Sequence, residues 1–294
     1  MRSPFLTNWF CTYDLTTSKG NILILRHEFA IPHRQSYVTY EDLSNLIADY
    51  LLSHPSPVLS LERALEVLPT TRSGLALNPR FASIDGFAPA TVSSTTAAMP
   101  DEVSLFNACG IQLVHGWVVD SQDESVWDVL VTKYGDYDEA IKAMVEGLDV
   151  PGANPADHQQ QEQDPVTLAE QRSKWTTEQE SKVFDAHTIK SFIDTSLTQL
   201  TVTGLFHLSN LPPSSLVALF RNSHLSVLYV RPESPDRDFE RRTPKLFQLV
   251  TDDGLRQSQI VWESLVDTTG ASDWFDANLK VVRSARRTIT ESVF

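Results

Sequence analysis

His224 is the residue whose surroundings say most about chemistry. It stands between a polar turn, Arg221-Asn222-Ser223, and an apolar run, LSVLYV at 225–230. Three further β-like runs lie nearby: LVALF at 216–220, LFQLVT at 246–251 and IVWESL at 260–265, separated by polar breaks that contain Pro or Gly. Thr251 ends the third run. If the runs at 225–230 and 246–251 pair antiparallel across the 232–244 loop, the start of one lies beside the end of the other, and His224 and Thr251 become neighbours. An imidazole with a hydroxyl to orient it suits the base half of a cysteine hydrolase.

Other chemistries fail on residue types. The sequence has no His-Glu-x-x-His or Cys-x-x-Cys pair for zinc, no Gly-rich phosphate loop and no Gly-x-Ser-x-Gly nucleophile elbow. A hydrolase or binding module that needs no cofactor and no metal remains. The remaining histidines read as packing: His115 lies among Val and Trp in VHGWVVD, and His207 follows an apolar helix. Trp262 reads as core, with Glu263 beside it as a possible substrate contact. Asp252 and Asp253 before Gly254 read as a turn, with either carboxylate an alternative partner for His224 if Thr251 is not.

The composition narrows the classes further. A chain of 294 residues with 41% hydrophobic content can bury one sizeable core. A net charge of -14 opposes a nucleic-acid partner, because phosphate binding needs concentrated Lys and Arg. No apolar run approaches the roughly 18 to 20 residues that span a bilayer, and residues 1–20 carry no continuous signal-peptide core. With two cysteines, Cys11 and Cys109, a disulfide framework is excluded. A cytoplasmic location, with the nucleus as a second compartment, is the default expectation. Cys109, in LFNACGIQLV, reads as a small buried hydrophobe.

The elements that must position His224 follow from periodicity. A core-facing helix is predicted over 40–52 from Leu43, Leu46, Ile47, Tyr50 and Leu51, with Thr39 and Asp42 as its start cap. A short helix is expected at 61–68, ended by Pro69, and a loop at 83–100. Residues 111–120 read as a strand or buried connection and 127–144 as helical. The segment 149–182, with Gln159-Gln160-Gln161 and few large aliphatics, reads as a flexible insertion. Helix returns with Ile189, Phe192, Ile193, Leu197 and Leu200 on one face and Asp185 as its cap.

Several blocks together resemble the MINDY deubiquitinases, cysteine proteases that trim ubiquitin chains linked through lysine 48. They are GNILILRHEFAIP and SYVTYEDLSNLIADYLL, LPTTRSGLALNPRF, IQLVHGWVVD, IKSFIDTSLTQLTVTGLFHL, LVALFRNSHLSVLYV and LFQLVTDDGLRQSQIVWESL. The resemblance implies one α+β domain of cysteine-protease type, with a helical lobe from the first half and a mostly antiparallel sheet lobe carrying His224. It makes His224 the catalytic histidine and Thr251 the third member of the site, with polyubiquitin as partner. The implied domain runs over 20–280, between a non-matching segment at 1–19 and a tail at 281–294.

The departure lies ahead of Gly20. The family carries its nucleophile in a Gln-x-Glu-Asn-Gly-Pro-Cys-Pro segment, where this chain reads LTNWFCTYDLTTSKG. Ungapped, Asp14 falls on the cysteine position and Asn8 near the family's glutamine, while Cys11 sits three residues early. Thiol activation depends on a helix start and a nearby imidazole in register, so Cys11 is poorly suited and the nucleophilic cysteine is not identified. Three readings follow: residues before Gly20 that are not those of the natural enzyme, a non-cleaving polyubiquitin-binding pseudoenzyme, or a rearranged Cys11 nucleophile. The abrupt end of the resemblance beside an intact histidine block favours the first.

Overall fold

The computed structural model describes residues 40–72, 75, 77–89, 99–153, 170–234, 243–250, 252–255 and 258–283. Cys11, Asp14, the run at 20–25, Thr39, Thr251 and the stretch at 284–294 lie outside the described residues.

Helix α1 (Tyr40–Ser53) turns Ile47, Tyr50 and Leu51 towards α2 (Leu61–Val67) and α3 (Asp101–Ala108), where they meet Leu59, Ala64, Val67 and Leu105. Ser60 Oγ accepts the Arg63 amide at 3.2 Å and starts α2. The chain passes straight into a 3-10 helix, Leu68–Arg72, so Pro69 ends the α-helix without ending the coil. A short ribbon follows, β1 (Asn78–Pro79) against β2 (Phe87–Ala88), and its second strand falls inside the 83–100 region expected to be loop.

The helix expected over 127–144 is three pieces: α4 (Glu124–Trp127), a π-helix (Asp128–Tyr134) and α5 (Tyr137–Leu148). The break falls at Gly135, whose φ of 83° suits glycine, and at Asp136, whose carboxylate accepts the Glu139 amide at 3.1 Å to start α5. Helix α6 (Thr177–Thr195) then begins inside the segment expected to be flexible. Thr176 and Gln179 form a reciprocal capping box, with bonds of 3.2 and 3.0 Å. Asp185 is therefore not the cap. It lies mid-helix, 4% exposed, accepting from the Tyr134 hydroxyl at 2.8 Å and paired with the Lys133 ammonium, which pins the π-helix to α6. Leu197, expected on the apolar face, is 74% exposed. Leu200 lies beyond the helix, buried, in a bridge to Gly116.

The sheet has the order β3-β4-β5-β6-β7-β8-β9. Strand β3 (Leu113–His115) runs parallel to β4 (Leu216–Arg221). The rest is an antiparallel meander of β5 (His224–Val230), β6 (Leu246–Leu249), β7 (Trp262–Ser264), β8 (Trp274–Phe275) and β9 (Val281–Arg283). The last strand falls within the stretch expected to be tail. One sheet face buries Val217, Leu219, Leu228, Val230 and Leu246 against Leu200, Leu208 and Leu211 around α7 (Val202–Ser209). On the other face, Phe247, Trp262 and Phe275 pack together, and Ala218 and Phe220 meet Phe87 and Val103. The α+β class holds, but the lobes interleave: β3 from the first half enters the sheet, and α6 from the second packs on α5.

Two contacts set the geometry around the sheet. Arg231, 4% exposed at the end of β5, donates to the carbonyls of Pro232, Pro244 and Thr243 at 2.8, 3.0 and 3.2 Å, clasping both ends of the 232–244 loop. Thr201 caps α7 through the Gly204 amide at 3.0 Å, and the start of α7 lies directly on Gly116. A Cβ on Gly204 would stand 1.9 Å from the Gly116 carbonyl oxygen. Backbone faces backbone there, so nothing can swing aside. Gly204→Ala is expected to lower unfolding free energy by about 3 kcal/mol, at the upper end of overpacking costs, measured by urea denaturation. Val202→Ala, on a residue 77% exposed, should stay within about 0.5 kcal/mol.

Candidate active site

His224 is the first residue of β5, directly opposite Arg221 at the end of β4. The two strands are joined by Asn222 and Ser223 alone, both left-handed with φ of 51° and 59°, as a type I′ hairpin turn requires. The tight turn brings His224 to the exposed rim of the sheet, while the run behind it is mostly buried. Strands β5 and β6 pair antiparallel with Leu228 opposite Gln248. The ladder closes there, and Val250 turns its amide to Val261 at 2.9 Å. Continued at the same register, β6 would set position 252 opposite His224, next to Thr251. Asp252 already uses its carboxylate, accepting the Gly254 amide at 2.8 Å above a 3-10 turn at Asp253–Leu255. The turn reading of Asp252 and Gly254 is the one observed, as a helical turn.

The other candidates separate by environment. His115 is buried beside Phe87, its Nδ1 accepting the Trp117 amide and its Nε2 donating to the Gly86 carbonyl, both at 3.1 Å. Burial pushes it down to about 4, so it is a neutral packing residue. His207 lies exposed in the last turn of α7 against Phe206. Cys109 ends α3 half-buried, and burial pushes its thiol up to about 11, the opposite of nucleophile activation. Trp262 is core. A surface groove of ≈ 580 Å³, lined by Phe184, His187 and Val202 among others, does not include His224.

The His224 face of the sheet also carries a polar strip, of which Glu263 alone was singled out from the sequence. Arg221 donates from Nε to the Thr198 carbonyl at 2.9 Å and from its guanidinium to Gln248 Oε1 at 3.1 Å. Glu263, opposite Gln248 on β7, is raised by burial, and the nearby Arg221 charge opposes that rise. Burial in turn lowers Arg221. The signal was present: Gln248 in LFQLV and Glu263 in VWES interrupt apolar strands, and β alternation turns both towards the face that His224 shares.

The MINDY deubiquitinase family model matches residues 18–279, an interval that contains the whole described sheet to within its last strand, His224 and position 251. The chain belongs to the MINDY deubiquitinase family. An uncharacterized Saccharomyces cerevisiae protein, YGL082W, is 30% identical over 258 residues, 86% of this chain and 56% of the relative. MINDY-1 of Bos taurus is 27% identical over 278 residues, covering 90% and 48% of the two chains. MIY1 of Saccharomyces cerevisiae is 27% identical over 269 residues, covering 88% and 63%. The last two are described as ubiquitin carboxyl-terminal hydrolases. The chain spans about half the length of the curated relatives it matches.

Within this MINDY domain the two best-defined titratable groups give separate tests. Because His115 has a folded pKa below its unfolded value, the unfolded chain takes up the proton first as pH falls. Stability should therefore drop from about pH 6.5 and level off below about pH 4. The loss is on the order of 3 kcal/mol, read by denaturation at stepped pH, and His115→Gln should remove most of it. Iodoacetamide should label Cys109 in the native protein far more slowly than free cysteine at neutral pH, and denaturation should abolish the difference.

Proposed function

We propose that this domain hydrolyses isopeptide bonds in lysine-48-linked polyubiquitin by thiol-dependent acyl transfer. The observation that carries the reading is the family match across 18–279, which takes in the hairpin bearing His224 and the strand leading to Thr251. His224 is the general base, and Thr251 orients its ring. The imidazole removes the thiol proton, and the thiolate attacks the carbonyl joining one ubiquitin's C-terminus to the lysine of the next. The imidazolium then protonates the departing amine, and water activated by the same ring releases the acyl group. The rim position of His224 supports this role, since a base must reach a bulky isopeptide. The substrate is expected to be met in the cytoplasm or nucleus. No described helix is long and apolar enough to cross a membrane.

The thiol belongs at position 14, where the printed sequence has Asp14, so we read the residues ahead of Gly20 as differing from those of the natural hydrolase. A second reading, a polyubiquitin binder without cleavage, is favoured by one observation: the matched interval starts at residue 18, beyond both Cys11 and Asp14.

Five replacements that make positions 11–15 read Asn-Gly-Pro-Cys-Pro separate the two. They are Cys11→Asn, Thr12→Gly, Tyr13→Pro, Asp14→Cys and Leu15→Pro. The protein carrying them should cleave lysine-48-linked tetraubiquitin, followed by gel electrophoresis. Adding His224→Ala should lower kcat by about 10² to 10⁴, the usual contribution of a general base, and Thr251→Ala should lower it less. Binding of tetraubiquitin with no cleavage would support the binder.

A further inference from the structure

A base is only as good as its placement, and the His224 turn is held from outside its own hairpin. The corner after α6, at Thr198 and Gln199, receives it. Gln199 Oε1 accepts the Asn222 amide at 2.7 Å, and the Thr198 carbonyl accepts from Arg221 Nε at 2.9 Å. The corner is braced behind by Thr198 Oγ1, which donates to the Thr268 carbonyl at 2.6 Å. Gln199 pays a conformational cost to make this contact, with a φ of 53° that L-residues avoid. Such a conformation persists where surroundings fix it, and here they fix it against the turn.

Arg221 extends the hold sideways. It lies on β4, its acceptor Gln248 lies on β6, and β5 runs between them, so the two side chains meet over β5. Ser226, two residues beyond His224 on the same face, is 4% exposed beneath this crossing and leaves room for it. The guanidinium thus ties together the strand before His224, the strand that leads to Thr251, and the Thr198 corner. We propose that Arg221 and Gln199 are positioning residues for His224, fixing the turn relative to β6 so that the imidazole keeps one orientation at the sheet rim. This rests on the reading of His224 as the base, but the ordering of its ring can be measured without turnover.

Two variants separate positioning from folding. Arg221→Lys keeps the charge and loses the planar fork that reaches two acceptors at once. Gln199→Gly removes the acceptor while relieving the left-handed strain, so its melting temperature should stay within about 2 °C of wild type. In the full chain, the His224 ring Cε1–H signal, assigned by its loss in His224→Gln, should be single and sharp. In both variants it should broaden or split while the His115 signal stays in place. In the cleaving background described above, kcat should fall by about 10 to 100-fold, the scale of an ångström misplacement, with KM changed less than twofold and Arg221→Lys retaining more activity than Arg221→Gln. A His224 signal that superimposes on wild type in both variants would overturn the proposal, as would unchanged kcat. If the unsubstituted cleaving background shows no turnover, the hydrolase reading fails while the ring signal still decides this one.

Discussion

A parallel strand pair cannot be closed by a turn, and that constraint on β3 and β4 organises the rest of the chain. The chain leaves the sheet after His115 and re-enters it at Leu216. Residues 116–215 are the crossover, and they hold the π-helix and α4 to α7. The crossover is anchored where it leaves, at Gly116, because α7 returns onto that same glycine with no side chain between the two backbones. Thr201 fastens the return, capping α7 and donating to the Val118 carbonyl at 2.6 Å. With α7 seated there, one sheet face is covered by Leu200, Leu208 and Leu211, and Arg221, Gln248 and Glu263 lie on the same face beside that cover.

Much of this was legible in the sequence, and the limits have physical causes. The four runs around His224 were marked by β-branched and aromatic residues between polar breaks, and all four are strands within two residues of their expected ends. The helix at 40–52 was legible because its apolar stripe repeats at helical spacing. The cap of α6 was not, because the acidic, glutamine-rich composition around it read as solvated chain. Thr176 and Gln179 nonetheless carry the capping-box spacing. Asp185 was misplaced because a carboxylate near a helix start is the commoner arrangement, whereas here Tyr134 and Lys133 compensate its burial. The π-helix had no sequence marker beyond Gly135.

The candidate site was legible in part for a related reason. His224 and the pairing of its strand with the one that leads to Thr251 follow from run order alone, since adjacent strands joined by a loop pair antiparallel. The residues that hold His224 in place do not. Gln199 and Thr198 are distant in sequence and touch the turn only because α6 ends where it does. Arg221 looked like a turn residue and is a cross-strand tie. Polar residues on an apolar sheet face are costly to bury, and Gln248, Glu263 and Arg221 occupy that face together, each partly compensating another. The three histidines near the sheet show the same logic. His115 is neutralised by burial, His207 rests on a helix end, and His224 alone of the three stands at the head of a strand on the rim.

Everything catalytic in this account turns on whether a thiol stands in register ahead of Gly20. The direct measurement is the sequence of the transcript across the codons for residues 8–20. The expected transcript encodes Asn-Gly-Pro-Cys-Pro upstream of Gly20, supplying the nucleophile that His224 would serve. A transcript that encodes NWFCTYDLTTSKG as printed would contradict that expectation, leaving a base without a thiol in register and a polyubiquitin-binding protein in place of a hydrolase.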